Sequence, residues 1–538
     1  MPSAQALPHP SLPSPWASDA PWDQDPQPPV IWSLAGTDSG GGAGLAADGR
    51  AAAAFGVHLC PLVAAVTAQH SQGVAAVFPL PREQIEAQLD AVAADLPPRV
   101  IKTGLLASVG AVEALIARLD ALRQQGPVEL VIDPVLGASA GGAAFADAAL
   151  LSAYREQLLP RASLITPNRR EAERLLSLAP DSTPLPALAA GLRALGAAAV
   201  CITGGDDRAT PGTQDLALDW IDDELLGRPL QGWLALPRLP STHHHGSGCS
   251  FATAAAAALA RGFVLADALL LAKMMVWCAV RDGHAAGAGA GPVRARSGFI
   301  AEPAAMPVMS FGNELAEPEA AATLARWGQV LRGDAAALDF QSGLYGISSH
   351  AALLADLAPQ AAFAHLQLRI KAQPGLDDAP LRAEIRRALA AETPACRVWI
   401  NDHWALALDE GAQSLHLGQE DWAALGRHER QRLLAPGLRL GLSSHSLWEL
   451  ARARSLAPCY IACGPVWATT TKDMPWLPQG TAQLRWWVQM AGRPVVAIGG
   501  ITTPGRLGEA AASGVAAACL VRALEQPGLE RYLAAWRG

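Results

Sequence analysis

The chain has 538 residues and a formal net charge of −8, from 41 Lys and Arg against 49 Asp and Glu. That length is too great for one hydrophobic core, and it allows roughly two to four domains. The acidic balance, with no Lys/Arg run forming a basic stripe, argues against nucleic acid as a main partner.

Hydrophobic residues reach 51% but are largely alanine. Runs such as residues 251–260 end within a helix length at Arg261, Lys273 and Arg281, so no membrane-spanning helix or signal peptide is expected. The 8 cysteines are scattered with no CxxC pair, which reads as reduced thiols in a cytoplasmic protein. Cys459 and Cys463 are spaced C-x₃-C, which on a strand gives buried packing.

From the N-terminus, residues 1–29 are rich in Pro, Ser and Asp and lack periodicity, so a disordered tail is predicted there. An apolar opening, VIWSLAG (30–36), leads into TDSGGGAGLAAD. IKTGLL (101–106), VIDPVLGA (131–138), LITPNRREAERLL (164–176) and a strand ending CITGGDD follow. Near residue 241 comes STHHHGSGCSFATAAAAALARG, in which Gly246, Ser247 and Gly248 run directly into an Ala-rich helix. The free N–H groups and positive dipole end of that helix face whatever sits above Cys249, as an anion site requires. A Gly-rich loop alone is weak evidence, and a lone Cys beside alanines is more often a small buried hydrophobe. His243 to His245 read as a solvated loop, because consecutive histidines point in different directions and no second ligand cluster follows.

Together these segments, from about 30 to about 290, resemble the hydroxymethylpyrimidine/phosphomethylpyrimidine kinases of the ribokinase-like superfamily. The resemblance implies a three-layer α/β/α domain that uses ATP. Cys249 stands at the position where sugar kinases of that superfamily carry an aspartate base. At a helix N-terminus its thiol is expected to have a lowered pKa, so that thiolate accepts the hydroxymethyl proton. Gly36, Asp48 and Gln69 are implied to contact the aminopyrimidine. Asp133, Asn168 and Glu171 are implied to organise Mg²⁺ and the ATP phosphates, with Gly246 and Gly248 in the anion loop. Thr203 departs from the pattern, standing where the family generally has a lysine. Lys102 and Arg50 are the other cations near matched motifs, and the sequence leaves open whether either substitutes.

After GAGAGP (287–292) the pattern becomes irregular over 293–312. Residues 314–333 then show helical spacing at Leu315, Leu324, Trp327 and Leu331, so 293–340 is expected to be a linker with a helix. Eight short β-rich runs follow, each ending in polar residues and alternating with helical segments. They are GLYGIS (343–348), FAHLQLRI (363–370), RVWIND (397–402), SLHLG (414–418), LRLGLSS (438–444), CYIACGPV (459–466), PVVAIGG (494–500) and AACLVRA (517–523). This alternation fits a (β/α)8 barrel over 341–538, in which strand C-termini converge on one face. The loop GPVWATTTKD and the turn AIGGI together make a phosphate cradle of hydroxyls, one ammonium and approachable backbone. Either piece alone would more often be a mere turn. Cations mixed with two isolated aspartates suit a polyphosphate held with Mg²⁺.

On QLRIK, INDHWALAL, HLGQED, GLSSHS, GPVWATTTKD and AIGGI, in that order, this half resembles thiamine-phosphate synthase. The resemblance implies that Asp402 and Asp421 hold Mg²⁺, and that Arg369, Asn401, Lys472 and Ser443 grip the pyrophosphate of the pyrimidine substrate. Thr469, Thr471, Gly500 and Ile501 would bind the thiazole phosphate, Gln367 would lie beside the pyrimidine, and Lys371 belongs to the same rim. Arg522 stands where a serine is common, exchanging a hydroxyl for a guanidinium.

The expectation is therefore an α/β chain with a kinase domain over 30–292 and a synthase barrel over 341–538. Its partners are small molecules: the aminopyrimidine, the thiazole phosphate and ATP. Neither nucleic acid nor membrane is among them, and a homo-oligomer is left open. Two rivals remain at this stage: a pyridoxal or sugar kinase in the first half, or a degenerate pyrimidine-sensing domain ahead of the only catalytic unit.

Overall fold

The computed structural model describes Trp22 and residues 25–538 apart from 138–144, 206–213, 226, 313, 317, 319, 336–339, 372–377, 469–477, 526 and 538. The chain divides into two units, Met1–Leu324 and Ala325–Gly538.

Unit 1 is built on a sheet of β1 (Val30–Gly36), β2 (His58–His70), β3 (Gly73–Pro79), β4 (Val100–Thr103), β5 (Glu129–Ile132), β6 (Leu164–Ile165), β7 (Val200–Ile202), β8 (Leu216–Leu225), β9 (Arg228–Pro237) and β10 (Val308–Met309). Their spatial order is β10-β9-β8-β7-β6-β5-β4-β1-β2-β3. The middle, from β2 to β7, is parallel, and β3 on one edge and β8 to β10 on the other are antiparallel. The central strands read as continuous apolar runs because helices cover both faces, leaving no solvated side to impose alternation. The helix Ser247–Ala260 lies against β1, β4, β5 and the helix Leu265–Arg281. Its alanines are almost wholly buried, and their small size is what lets it approach both neighbours so closely.

Two boundary expectations change. The segment 293–312 is not all linker, because β10 adds to β9 as the last strand, and the Ser310 hydroxyl accepts the Trp233 N–H at 2.8 Å. The unpaired edge of β9 thus carries the domain past 292. The predicted tail lies mostly outside the described residues, but its end is docked. Trp22 is buried against Phe55, with ring centroids 5.2 Å apart, and the Arg261 guanidinium lies 5.3 Å from its ring while pairing with Asp25 at 2.9 Å. One aromatic anchor and one ion pair hold Trp22 and Asp25, at the end of a stretch whose composition alone predicts disorder.

In unit 2, β11 (Gly343–Ser348), β12 (Phe363–Leu368), β13 (Arg397–Asn401), β14 (Ser414–Leu417), β15 (Arg439–Ser444), β16 (Tyr460–Cys463), β17 (Val495–Ala497) and β18 (Ala517–Leu520) form a closed parallel barrel. Closure comes from β18 pairing back onto β11, with Gly343 opposite Ala517. Helices lie between successive strands, as the alternation of the sequence requires. Tyr345, Trp399, Tyr460, Val496 and Cys519 fill the interior. The helix predicted over 314–333 is found at Ala320–Arg332, and its Arg326 donates to the Ser455 carbonyl at 2.9 Å. All 8 cysteines are free, and among the described residues no helix is long and apolar enough to cross a membrane.

Candidate active sites

In unit 1 the C-terminal ends of β1, β4, β5 and β7 open onto one edge of the sheet, where the loop after β1 meets the start of the helix Ser247–Ala260. Gly246, the N-cap of that helix, has φ 81°, and a Cβ there would stand 2.2 Å from the Gly42 carbonyl oxygen. Only glycine permits both the left-handed turn and the contact that brings the two glycine-rich loops together. Asp38 organises the first of these loops. Its carboxylate accepts the N–H groups of Gly40, Gly42 and Ala43 at 2.8–2.9 Å and meets His245 Nε2 at 3.0 Å. Burial alone would raise its pKa, but the His245 hydrogen bond and the Ala43 and Gly40 amides hold it down at about 2. Gln69 lies 3.4 Å from the same imidazole nitrogen. His245 is therefore a fixed part of the site rather than part of a solvated loop, and Asp38 is a site residue the sequence reading missed. The TDSGGG run could have signalled it, since an acidic residue just before a glycine loop is suited to capping that loop's free amides.

Beneath the loops lies a buried charge cluster. Lys102 Nζ is 3.0 and 3.1 Å from the two Asp48 oxygens and 3.7 Å from Asp133 Oδ2. Ser33 and Thr253 each donate to Asp48 at 2.7 Å. Burial is the largest single influence and opposes charge on Lys102, but Asp48, Asp133 and Cys249 together outweigh it and keep the ammonium protonated. Asp48 is wholly buried, with both oxygens taken. The structure thus corrects the expected pyrimidine contact of Asp48, because its carboxylate faces the core lysine. Gly36 ends β1 and is buried next to Leu105.

The surroundings of Cys249, which is partly exposed, oppose the expected thiolate. Burial and the Asp133 and Asp48 carboxylates push the thiol well above its ordinary value, against the opposing pull of Lys102 and the Gly44 amide. Burial also raises the Asp133 carboxyl, against the pull of Lys102 and of the neighbouring Cys249 thiol. A helix N-terminus lowers a thiol pKa only where nearby anions do not cancel it, and here two do. Among the described residues Asp133 Oδ2 has no hydrogen-bond partner and meets Lys102 at 3.7 Å, an under-satisfied acceptor of the kind a divalent cation satisfies.

Asn168 and Glu171 sit on the adjoining strand end, closing a capping box on the helix Arg169–Leu176. Glu171 N donates to Asn168 Oδ1 at 2.9 Å, and Asn168 N donates to Glu171 Oε2 at 3.0 Å. Burial, helped by the nearby Asp133 charge, pushes the Glu171 carboxyl up to about 8. Thr203 bridges to Asn168 at the same edge, its N–H donating to Pro167 O at 2.9 Å. Neither alternative cation is free to replace a lysine there. Lys102 is committed to Asp48, and Arg50 donates to the Gly41 and Gly42 carbonyls at 2.9 and 3.0 Å. Gly248 is exposed at the start of the Cys249 helix.

In unit 2 the strand ends enclose a cavity of about 430 Å³. Gln367, Arg369, Lys371, Asn401, Asp402, Asp421, Ser443, Gly500, Ile501 and Arg522 all line it. Thr469, Thr471 and Lys472 lie outside the described residues. Gln367 donates to Asn401 Oδ1 at 2.6 Å, which fixes both amides. Asp402 has φ 64°, a left-handed conformation that costs a non-glycine residue about 1 kcal/mol, and its position at the β13 end puts it on the cavity wall. Asp421 accepts the Gly418 N–H at 3.1 Å through one oxygen, and among the described residues its other oxygen takes no hydrogen bond. Among the described residues no group of three or more His, Cys, Asp or Glu could hold a metal ion. Two aspartates on one wall nevertheless suit Mg²⁺, which takes few protein carboxylates and completes its shell with phosphate and water. Sequence reasoning missed His416, His445, Tyr345 and Tyr460, which also line the cavity. His416 is driven down to about 3, mainly by burial and further by Arg369 and His445, so it is neutral. His445 pairs with Glu449 at 2.8 Å.

Comparison with known proteins agrees with this division. The phosphomethylpyrimidine kinase family model matches residues 38–294, and the thiamine monophosphate synthase model matches 345–524. A hydroxymethylpyrimidine/phosphomethylpyrimidine kinase of Mycobacterium tuberculosis is 39% identical over 267 residues, covering 49% of this chain and 93% of its own. The thiamine biosynthesis bifunctional protein ThiED of Geobacter sulfurreducens is 37% identical over 264 residues, 49% of this chain and 51% of its own. A probable thiamine biosynthetic bifunctional enzyme, chloroplastic, of Oryza sativa subsp. japonica is 30% identical over 501 residues, spanning 90% of this chain and 82% of its own. Two family matches in series and a relative aligned across both units place this chain among the bifunctional thiamine biosynthetic enzymes, with a phosphomethylpyrimidine kinase unit followed by a thiamine monophosphate synthase barrel.

Proposed function

We propose that unit 1 uses ATP to phosphorylate 4-amino-5-hydroxymethyl-2-methylpyrimidine twice, and that unit 2 couples the resulting pyrophosphate ester to hydroxyethylthiazole phosphate, giving thiamine phosphate and pyrophosphate. The observation that carries this reading is the unit 2 cavity, whose wall combines cations, two aspartates and amide groups at the strand ends of one barrel. Arg369, Asn401, Ser443 and Lys472 grip the diphosphate, and Asp402 and Asp421 are the groups that would hold Mg²⁺. That ion, when bound, neutralises the leaving group. The bond from the pyrimidine methylene carbon to its oxygen breaks as the thiazole nitrogen attacks that carbon, and the pyrophosphate leaves with the bonding pair. Gln367 lies beside the pyrimidine, while Thr469, Thr471, Gly500, Ile501 and Arg522 take the thiazole phosphate.

In unit 1, Gly246 and Gly248 present helix amides to the moving phosphoryl group. Asp133 and Glu171, with Asn168 holding Glu171, form the acidic side on which ATP would sit with its cation. Cys249 enters as a thiol. Phosphoryl transfer is loose, so the acceptor hydroxyl loses its proton late, as the new P–O bond forms, and the Cys249 thiol, in the electrostatic reach of Asp133, relays it. The kinase relatives are named for the pyrimidine substrate, which supports that substrate over a pyridoxal or sugar. A cytoplasmic setting fits eight free thiols, and no nucleic acid or membrane partner is proposed.

Cys249→Ala tests the kinase assignment. Phosphorylation of the free alcohol should fall far more than phosphorylation of the monophosphate, which is already anionic. An equal fall in both steps, or in neither, would show that the thiol is structural.

A further inference from the structure

A chain of hydrogen bonds runs from the closed interior of the barrel to the cavity wall. Tyr345 Oη is 2.8 Å from Tyr460 Oη, Tyr460 Oη is 2.7 Å from His416 Nδ1, and His416 Nε2 is 2.9 Å from Ser443 Oγ. The two tyrosines are almost wholly buried and His416 nearly so, and each of the four residues comes from a different strand.

Gly441 makes this possible. It lies between His416 and Tyr460 in register, and a Cβ at that position would stand 2.3 Å from Tyr460 Cε1 and 2.6 Å from Tyr460 Oη. With no side chain on the intervening strand, the phenol crosses over it and its ring stacks on the imidazole, 5.6 Å between centroids and 14° between planes.

The end groups fix the direction of the chain. If His416 Nδ1 carried the proton, Tyr460 would accept it and donate to Tyr345. The Tyr345 hydroxyl hydrogen would then be left at the almost wholly buried inner end of the cavity, where among the described residues Tyr460 is its one hydrogen-bond partner. A buried donor without an acceptor is costly, whereas a hydroxyl that donates and leaves a lone pair unused costs less. The favoured arrangement has Tyr345 donating to Tyr460, Tyr460 donating to His416 Nδ1, and His416 Nε2–H donating to Ser443 Oγ. Ser443 Oγ is then occupied as an acceptor, and its own hydrogen is released toward the cavity.

We infer that Tyr345, Tyr460 and His416 are positioning residues that lock the Ser443 hydroxyl as a hydrogen-bond donor to an anionic leaving group. This rests on the proposed diphosphate role of Ser443. It adds that the donor is oriented before the substrate arrives, so no rotor has to be frozen during the reaction.

A double-mutant cycle on the full chain tests it, with the kinase activity of each preparation as internal control. Ser443→Ala should lower the coupling kcat by roughly 10- to 100-fold, the range for a hydrogen bond to a charged group. Tyr460→Phe should lower it by roughly fivefold in the parent chain and leave it unchanged in the Ser443→Ala background, since it acts only through that hydroxyl. The ¹⁵N spectrum of the parent chain gives a second reading that does not depend on any variant folding well. The imidazole signal absent from His416→Gln should be that of an Nε2-protonated, Nδ1-bare ring. A Ser443→Ala variant with unchanged coupling overturns the diphosphate reading of the site. A harmful Ser443→Ala with an additive Tyr460→Phe, or an Nδ1-protonated His416, leaves that reading standing and overturns the positioning chain.

Discussion

Replacing Asp48 by asparagine removes one charge from the buried cluster of unit 1 while keeping the side chain's shape. The introduced amide retains an oxygen for Ser33 or Thr253, but Lys102 loses the carboxylate at 3.0 Å and is left with Asp133 at 3.7 Å. Removing one partner of a buried ion pair costs about 3–5 kcal/mol, chiefly because the remaining charge stays desolvated. The second carboxylate puts this case near the lower end, about 3 kcal/mol, out of a typical domain stability of about 5–15 kcal/mol. Urea denaturation of the full chain, followed by loss of kinase activity and by tryptophan fluorescence, should show the unit 1 transition move down by roughly 1 M, given slopes of about 1–3 kcal/mol per M. Asp48→Leu with Lys102→Met should recover most of that loss, since a well-packed apolar pair of similar volume is close to neutral. If Asp48→Asn instead changes stability by less than about 1 kcal/mol and raises the KM for the pyrimidine, the carboxylate faces the substrate and the buried-cluster account is wrong.

Three further outcomes follow from the geometry. Cys249, as a protonated thiol, should react with iodoacetamide at pH 7.5 at least about tenfold more slowly than a free cysteine, and equal rates would restore the thiolate reading. Asp38 has a depressed pKa, so its contribution to stability is full above its unfolded value near 4 and is lost as pH falls through about 2. Asp38→Asn should therefore cost about 2 kcal/mol at pH 7, with the gap to the parent closing between about pH 4 and pH 2 in acid titrations of unfolding. Asp402→Ala should abolish coupling or sharply raise its Mg²⁺ requirement while leaving kinase activity intact, and an unchanged Mg²⁺ dependence would remove Asp402 from the metal site.

The barrel was the more legible half because its signals are local. Each apolar run with a polar end, such as GLYGIS or RVWIND, coincides with one strand, β11 or β13 here, and parallel closure then brings the ends together without further information. What the sequence hides are partnerships across long separations. His245 meets Asp38 207 positions away, and Thr253 meets Asp48 205 away. Nothing local to a histidine triplet says that one of them will face a glycine loop. The same limit applies to Asp48 and Cys249. Their motifs were recognisable, but a side chain's direction and its pKa depend on Lys102 and Asp133, which other strands supply. The docked Trp22 and the added strand β10 were missed for a related reason, because short segments are recruited by surfaces that exist only after folding.

The central claim is that one chain carries out consecutive chemistry, and its most direct test is a stoichiometry. The purified full chain is given hydroxymethylpyrimidine, thiazole phosphate, ATP and Mg²⁺, and ADP, pyrophosphate and thiamine phosphate are followed together. The account predicts thiamine phosphate with ADP in a ratio of 1:2, and one pyrophosphate for each thiamine phosphate formed. ADP released without thiamine phosphate, or thiamine phosphate formed only when the pyrophosphate ester is supplied ready-made, would contradict it.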